Sequence, residues 1–213
     1  MLANQKNKIL DYLQTRYPNA GCELLYRKDY ELLIAVVLSA QTTDAAVNLV
    51  TPKLFQTFPT LVALAKAPLK KIEKTIQSIG LYRHKAKHIQ GLATILIQKH
   101  HGKVPSDKQA LTMLPGVGIK TANVVRAELF GIPEIAVDTH VHRLAWRLGF
   151  TNRQDDVTQT EKKLRKALRE DQYIAAHHQL IHFGRDLCQA RKPKCDACGL
   201  VALCREPNKQ LKE

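Results

Sequence analysis

A lysine beside a glycine-rich turn is the feature of this sequence that can do chemistry. Residues 114–120 read LPGVGIK. A Pro-Gly-x-Gly turn that opens a helix leaves backbone N–H groups free at the helix N-terminus, where they bind phosphate. Lys120 next to this turn suits two roles, as a counter-charge for phosphate or as a nucleophile toward a sugar carbon. The sequence therefore predicts an anion site at Gly116 and Gly118, with a lysine of undecided role beside it.

A carboxylate further along the chain favours the nucleophile. Asp138 stands in the run AVDTHVHRL, ahead of a predicted helix. It can accept the proton of a lysine or stabilise positive charge on a sugar, although a simple N-cap is an equally good interpretation of the residue by itself. Lys120 falls in the first turn of its helix, where the helix dipole disfavours a charged ammonium, and burial would add to this effect. His140 is expected close to these two groups.

Four of the five cysteines form a cluster near the C-terminus. They are spaced C-x6-C-x2-C-x5-C and comprise Cys188, Cys195, Cys198 and Cys204, while Cys22 stands apart as a free thiol. Clustered cysteines in a reducing compartment indicate a metal site rather than disulfides. Four thiolates can hold either zinc or a [4Fe–4S] cluster. The sequence has only one short-spaced cysteine pair, which favours iron–sulfur. The loop after the first cysteine is basic and is predicted to contact phosphates through Arg191, Lys192 and Lys194.

The charge balance points to a polyanionic partner. Lys and Arg number 33 against 19 Asp and Glu, giving a net charge of +14 that is spread over the whole chain. A folded basic face of this kind is typical of nucleic-acid binding. No apolar run of about 18 residues and no N-terminal apolar segment are present, so we expect a soluble, monomeric, cytoplasmic protein associated with the nucleoid and not with a membrane.

Apolar residues recur at helical spacing, and no segment alternates convincingly with period two, which predicts an all-α fold. Helices are expected over 4–17, 30–38, 44–58, 60–66, 68–79, 81–100, 107–114, 118–131, 138–148, 157–170 and 172–188. Gly80 is the expected left-handed residue after the fifth of these helices. The charged tail, 205–213, is expected to fray.

Two short segments are candidates for DNA contacts. The polar cluster from Ser39 to Asp44 directly follows an apolar helix, and rigidly supported polar residues often bind ligands. The alternative is a plain turn in which Thr43 or Asp44 caps the next helix. Leu81 begins a basic segment with an aromatic residue, and it can either wedge into a base stack or pack as a hydrophobic staple.

These motifs together resemble the endonuclease III type of the helix–hairpin–helix DNA glycosylase superfamily. The resemblance rests on LPGVGIKTANVV, AVDTHVHRL, the cysteine spacing, LSAQTTD at 38–44 and IGLY at 79–82, and it covers essentially the whole chain. It implies that Lys120 attacks the anomeric carbon of an extruded nucleotide and that Asp138 assists. It also implies that Gln41 and Leu81 fill the gap in the duplex and that the four cysteines bind a [4Fe–4S] cluster. Ser39, Asp44 and His140 are then expected around the reacting groups.

The resemblance further implies two helical domains with a DNA-binding cleft between them. Residues 22–132 would form a six-helix domain with the helix–hairpin–helix, and 1–21 with 133–213 a cluster domain. The implied activity is that of a bifunctional DNA glycosylase and AP lyase of base excision repair. It would excise oxidised pyrimidines from double-stranded DNA and cleave 3′ to abasic sites by β-elimination.

Two alternatives remain at this point. An adenine-type monofunctional glycosylase can share the cysteines and the hairpin, but it usually lacks a lysine matching Lys120 and has a further domain. A non-enzymatic helix–hairpin–helix iron–sulfur protein would use Lys120 only as a phosphate contact. One departure from the family pattern is Ile119, where bacterial relatives often have a polar or basic residue, so the hairpin is expected to lose one phosphate contact.

Overall fold

Eleven α-helices make up the regular structure of residues 3–211, the part of the chain that the computed structural model describes. They are α1 (Ala3–Arg16), α2 (Asp29–Leu38), α3 (Asp44–Thr57), α4 (Leu61–Ala65), α5 (Leu69–Thr75), α6 (Tyr82–His100), α7 (Lys108–Thr112), α8 (Ile119–Phe130), α9 (Thr139–Arg147), α10 (Val157–Ala167) and α11 (Tyr173–Asp186). Short 3-10 turns occupy Glu170–Gln172 and Cys195–Ala197, and these described residues contain no strand. The predicted all-α fold is confirmed. None of the described helices has the length and apolar character needed to cross a bilayer.

One compact unit comprises Glu23–Ile132. Its centre is α2, in which every residue from Leu32 to Leu38 is buried, as expected for a helix that is apolar on nearly every side. Helices α3, α6 and α8 pack around α2, and α4 packs along α6. This arrangement places the polar segment after α2, the start of α6 and the glycine turn before α8 on one supporting core.

The second compact unit contains the described residues on either side of the first. Helix α1 packs on α11, and α9 packs on both α10 and α11. Ile9 and Leu13 of α1 share a core with Val141, Leu144 and Phe183, so the beginning and the end of the chain fold together.

One expected helix end was wrong, and the first residues of the tail are more firmly held than expected. Helix α5 stops at Thr75, and Gly80 does not have a positive φ; Leu81 adopts the left-handed conformation instead, at φ 56°. Ile76 and Ile79 are buried, so packing fixes the connection and moves the left-handed residue one position further. The start of the tail is held as well, because the backbone N–H of Arg205 donates to the Arg147 carbonyl at 2.7 Å. Residues 212 and 213 of that tail lie outside the described part.

Candidate active site

The glycine turn connects α7 to α8 in a helix–hairpin–helix. Gly116 has φ +78°, and a Cβ at this position would lie 2.9 Å from both Val37 Cγ1 and His88 Nδ1. Only glycine fits that conformation and that space. Gly118 is the N-cap of α8 and has no side chain to bond the first N–H groups of the helix, which remain available to an external acceptor such as phosphate.

We expect Gly116→Ala to lower the free energy of unfolding by about 2 kcal/mol or more, because both the positive φ and the close contacts oppose a Cβ. Gly118→Ala is the matched control. Its φ is −92° and a Cβ there meets nothing within 4 Å, so the loss should stay within the ~1 kcal/mol cost of a poorer N-cap. Urea unfolding of both variants measures the difference, and equal losses would contradict the packing argument.

Lys120 lies in the first turn of α8 and its side chain is exposed. The expected effect of the helix dipole on the ammonium group stays a prediction. Because the side chain is exposed, only a molecule that binds against the hairpin can remove it from water.

Ile119 precedes Lys120 and is 64% exposed on the hairpin. We expect Ile119→Arg to tighten binding to undamaged duplex about fivefold at low salt and to steepen the slope of log K against log salt by about 0.9, because one more phosphate is neutralised. Fluorescence anisotropy across a salt series measures both values. Ile119→Gln, which is polar and uncharged, should leave the slope unchanged. Identical slopes for the two variants would place residue 119 away from the phosphates.

Asp138 is the N-cap of α9, and its Oδ1 accepts a hydrogen bond from the Val141 backbone N–H at 2.7 Å. Asp138 therefore does cap the helix, which is the simpler of the two interpretations of this residue. The cap uses only one of the two carboxylate oxygens, because Oδ2 accepts no hydrogen bond from the described part of the chain. The cap fixes the direction of the half-buried Asp138 side chain and leaves its second carboxylate oxygen for another partner.

His140, two residues further on, is half-buried, and its pKa is lowered from the usual value of a histidine. Burial lowers its pKa and Arg143 lowers it further, while the Asp138 carboxylate acts in the opposite direction. Arg143 Nη2 lies 3.2 Å from His140 Nδ1.

The four clustered cysteines lie in the segment that follows α11. Burial raises the pKa of the Cys188 and Cys198 thiols, whereas Arg147 acts in the opposite direction on Cys188. The Cys198 thiol lies near enough to those of Cys188, Cys195 and Cys204 for their charges to raise its pKa.

Hydrogen-bond donors point at two of these sulfurs. Arg147 Nη1 lies 3.2 Å from Cys188 Sγ, and the Glu206 N–H lies 3.4 Å from Cys204 Sγ. Such donors suit metal-bound thiolates. No group of three or more His, Cys, Asp or Glu side chains within residues 3–211 is arranged to hold a single metal ion.

The basic loop between Cys188 and Cys195 is exposed, but its three cations differ. Lys194 Nζ lies 3.6 Å from Asp186 Oδ1, so part of its charge is already balanced. Arg191 and Lys192 form no ion pair with any other described residue. These two are the better candidates for phosphate contacts.

Gln41 and Leu81, the two proposed gap-filling residues, share an unusual backbone. Their φ angles are 54° and 56°, and both side chains are exposed. We call these two positions the tips. Nearby, the Ser39 hydroxyl donates to the Val36 carbonyl, and Thr43 rather than Asp44 caps α3. Ser39 and Asp44 belong to the unit 23–132 with Lys120, whereas Asp138 and His140 belong to the other unit.

Three residues that matter here were missed by sequence reasoning. Arg143 donates to the Cys188 carbonyl at 2.9 Å, and Arg147 binds the Cys188 sulfur and Glu206, so α9 is bonded to the cluster segment along one face. Their i,i+4 spacing is the only signal that could have indicated this face. Lys85 is buried, although it lies in a basic segment that predicts exposure.

Comparisons with known proteins find relatives that match most of this chain. Residues 34–170 match the model of the HhH-GPD superfamily base excision DNA repair proteins. The endonuclease III of Bacillus subtilis strain 168 is 47% identical over 204 residues, which is 96% of this chain and 93% of that protein. A solved structure of a non-covalent endonuclease III–DNA complex superposes with a TM-score of 0.92 at 50% identity, covering 96% of each chain. A trapped endonuclease III–DNA covalent intermediate gives a TM-score of 0.91 at 50% identity, covering 96% of this chain and 97% of that one.

The helical fold, the hairpin and these matches define a base excision DNA repair protein of the HhH-GPD superfamily. Within that superfamily, the chain belongs to the endonuclease III family.

Proposed function

We propose that this protein is a bifunctional DNA glycosylase and AP lyase that acts on damaged bases, oxidised pyrimidines above all, in double-stranded DNA. The observation that carries the proposal is the exposed Lys120 in the first turn behind the glycine hairpin. The hairpin N–H groups at Gly116 and Gly118 bind a backbone phosphate, which brings the sugar to the lysine. Family membership and the trapped covalent intermediate of a relative support the same reading.

The chemistry follows from one amine and one carboxylate. The Lys120 amine, after losing a proton, forms a bond to C1′ while the glycosidic bond breaks and the base departs with the bonding electrons and gains a proton. Positive charge that develops on the sugar is stabilised by the Asp138 carboxylate. The C1′–O4′ bond of the sugar ring then opens, O4′ takes a proton, and an iminium forms between C1′ and Lys120. The iminium acidifies the C2′ proton; its loss breaks the C3′–O bond and expels the 3′ phosphate, and hydrolysis of the imine then releases Lys120.

The nucleotide must leave the base stack before C1′ is accessible. Extrusion is least costly for a damaged or abasic position, which is one source of selectivity. The exposed tips at Gln41 and Leu81 are proposed to occupy the gap that the nucleotide leaves. The basic loop with Arg191 and Lys192 is proposed to contact the DNA backbone.

We further propose that Cys188, Cys195, Cys198 and Cys204 hold a [4Fe–4S] cluster. Its contribution would be to fix the basic loop and the segment bonded to α9. The donors from Arg147 and from the Glu206 N–H are placed for thiolate sulfurs.

Cys198→Ser should lose the broad absorbance near about 400 nm together with its iron and sulfide, since one of four ligands is removed. Cys22→Ser is the matched control, because Cys22 lies outside the cluster and should retain both signals. Absorption spectra and metal analysis of the purified variants make the comparison. Stoichiometric zinc without visible absorbance in the unaltered protein would overturn the iron–sulfur assignment.

The function itself is tested by trapping. The cluster-loaded protein is incubated with a duplex containing one abasic site and borohydride, and in parallel with a duplex containing one oxidised pyrimidine. We expect a covalent adduct with both and none with undamaged duplex. DNA binding without an adduct would favour a non-enzymatic binding protein, and excision of adenine without strand cleavage would favour an adenine-type glycosylase.

A further inference from the structure

Lys85 is a buried lysine next to both tips. It lies in the first turn of α6 and is 3% exposed. Its Nζ donates to the Thr42 hydroxyl at 2.6 Å, its only side-chain hydrogen bond within residues 3–211. Burial lowers the pKa of the Lys85 ammonium, which reflects the cost of keeping this charge out of water.

Both tips have a left-handed backbone conformation, which residues with a side chain rarely adopt. Among the described residues, only Gln41, Leu81 and His101 combine a side chain with a positive φ, and His101 is an ordinary helix end. A left-handed leucine costs about 1–2 kcal/mol and persists only where the surrounding structure imposes it. Something in this unit must therefore hold both backbones in place.

Lys85 is bonded to the backbone of one tip and to the neighbour of the other. Its N–H donates to the Leu81 carbonyl at 3.0 Å, closing the first turn of α6 behind the Leu81 tip. Its ammonium binds Thr42, the residue directly after Gln41, across 43 positions of sequence. Thr42 is in turn fixed by its N–H, which donates to the Ser39 carbonyl at 3.0 Å. One residue thus connects two loops that are distant in sequence.

Stability does not explain a lone ammonium at this position. A buried cation bonded to a single hydroxyl is incompletely compensated, and an apolar side chain of similar length would fill the same space at lower cost. The hydrogen bond between Lys85 and Thr42 instead fixes the distance between the Thr42 loop and the start of α6.

We propose that Lys85 is a positioning residue that sets the spacing of the Gln41 and Leu81 tips, so that both side chains enter the same opened duplex together. The proposal rests on the proposed function. It predicts a loss confined to duplex substrates, since single-stranded DNA has no gap to fill.

The test compares single-turnover cleavage of one abasic strand, alone and in duplex, by the cluster-loaded full chain. Lys85→Met keeps the apolar stem and removes the ammonium; we expect the duplex rate to fall about tenfold and the single-strand rate to change less than twofold. Thr42→Val breaks the same bond from the other side and should reproduce the duplex loss, whereas Thr42→Ser restores the hydroxyl and should restore most of the rate. The double variant Lys85→Met/Thr42→Val should lose no more than Lys85→Met.

A second comparison separates positioning from general damage. In a Gln41→Ala/Leu81→Ala background the tips have no side chains to place, so adding Lys85→Met should have no further effect on the duplex rate. Three results would each overturn the proposal. The first is a duplex rate in Lys85→Met equal to that of the unaltered protein, and the second is an equal fall in rate on both substrates. The third is a further tenfold fall when Lys85→Met is added to Gln41→Ala/Leu81→Ala. The failure of the unaltered protein to cleave or to form an adduct with either DNA is a different result, because it would remove the proposed function itself.

Discussion

Lys120→Ala is expected to abolish the borohydride-trapped adduct with abasic DNA and to lower strand cleavage by at least about 10³-fold. The amine is the group that bonds to C1′ in the proposed reaction, and no neighbouring residue of the hairpin can replace it. The fold should tolerate the change, since Lys120 is exposed and alanine is a good helix former.

Lys120→Arg distinguishes the two roles that the sequence leaves open. Arginine keeps the positive charge at the hairpin but cannot be deprotonated, so it can bind phosphate and cannot form an imine. We expect duplex binding close to that of the unaltered protein and no adduct. Lys74→Ala, which removes an exposed lysine from the same unit, should still form the adduct. A substantial adduct in Lys120→Arg would show that another amine is the nucleophile.

Asp138→Asn is expected to reduce base excision by about 10²–10³-fold while DNA binding is retained. The asparagine side-chain oxygen can accept the same hydrogen bond from the Val141 N–H that Oδ1 of Asp138 accepts. Because asparagine and aspartate are equivalent N-caps, the free energy of unfolding should change by less than about 0.5 kcal/mol. The substitution therefore removes the negative charge and little else.

Asp138→Ala completes this comparison, since it removes both the charge and the cap and should cost about 1 kcal/mol of stability. If activity depends on the charge, the asparagine and alanine variants should be similarly inactive on an oxidised-pyrimidine duplex. Full activity in Asp138→Asn together with loss in Asp138→Ala would reduce Asp138 to a helix cap. Single-turnover excision and urea unfolding provide the two measurements.

The sequence predicts the fold of this protein well because its helices carry clear local signals. Apolar spacing and caps located all eleven helices to within a few residues, and the glycine pattern of LPGVGIK located the hairpin. The errors came where packing overrides local preference: the burial of Ile76 and Ile79 moved the left-handed turn from Gly80 to Leu81. Local sequence signals do not show that Glu206 at the start of the tail pairs with Arg147, because the two residues are 59 positions apart.

Local sequence patterns also identify some residues of the candidate site and miss others. Residue types and spacing singled out Lys120, Asp138 and the four cysteines. The residues that position them were not predictable, since Lys85 and Arg147 look like ordinary surface charges until the fold shows what each one contacts. Their hydrogen bonds join segments far apart in sequence, and neither periodicity nor motif spacing contains that information.

The pairing of the first and last helices determines when each unit can form during synthesis. Arg16 of α1 and Asp186 of α11 form an ion pair across 170 positions, and Ile9 and Leu13 have their core partners in the second half of the chain. At about 5–20 residues per second, α1 waits roughly 10–30 s on the ribosome for α11. The unit 23–132 is continuous and is complete before then. The four clustered cysteines are synthesised after the α-helices of both units, so the proposed cluster can be inserted only after Cys204 has been translated.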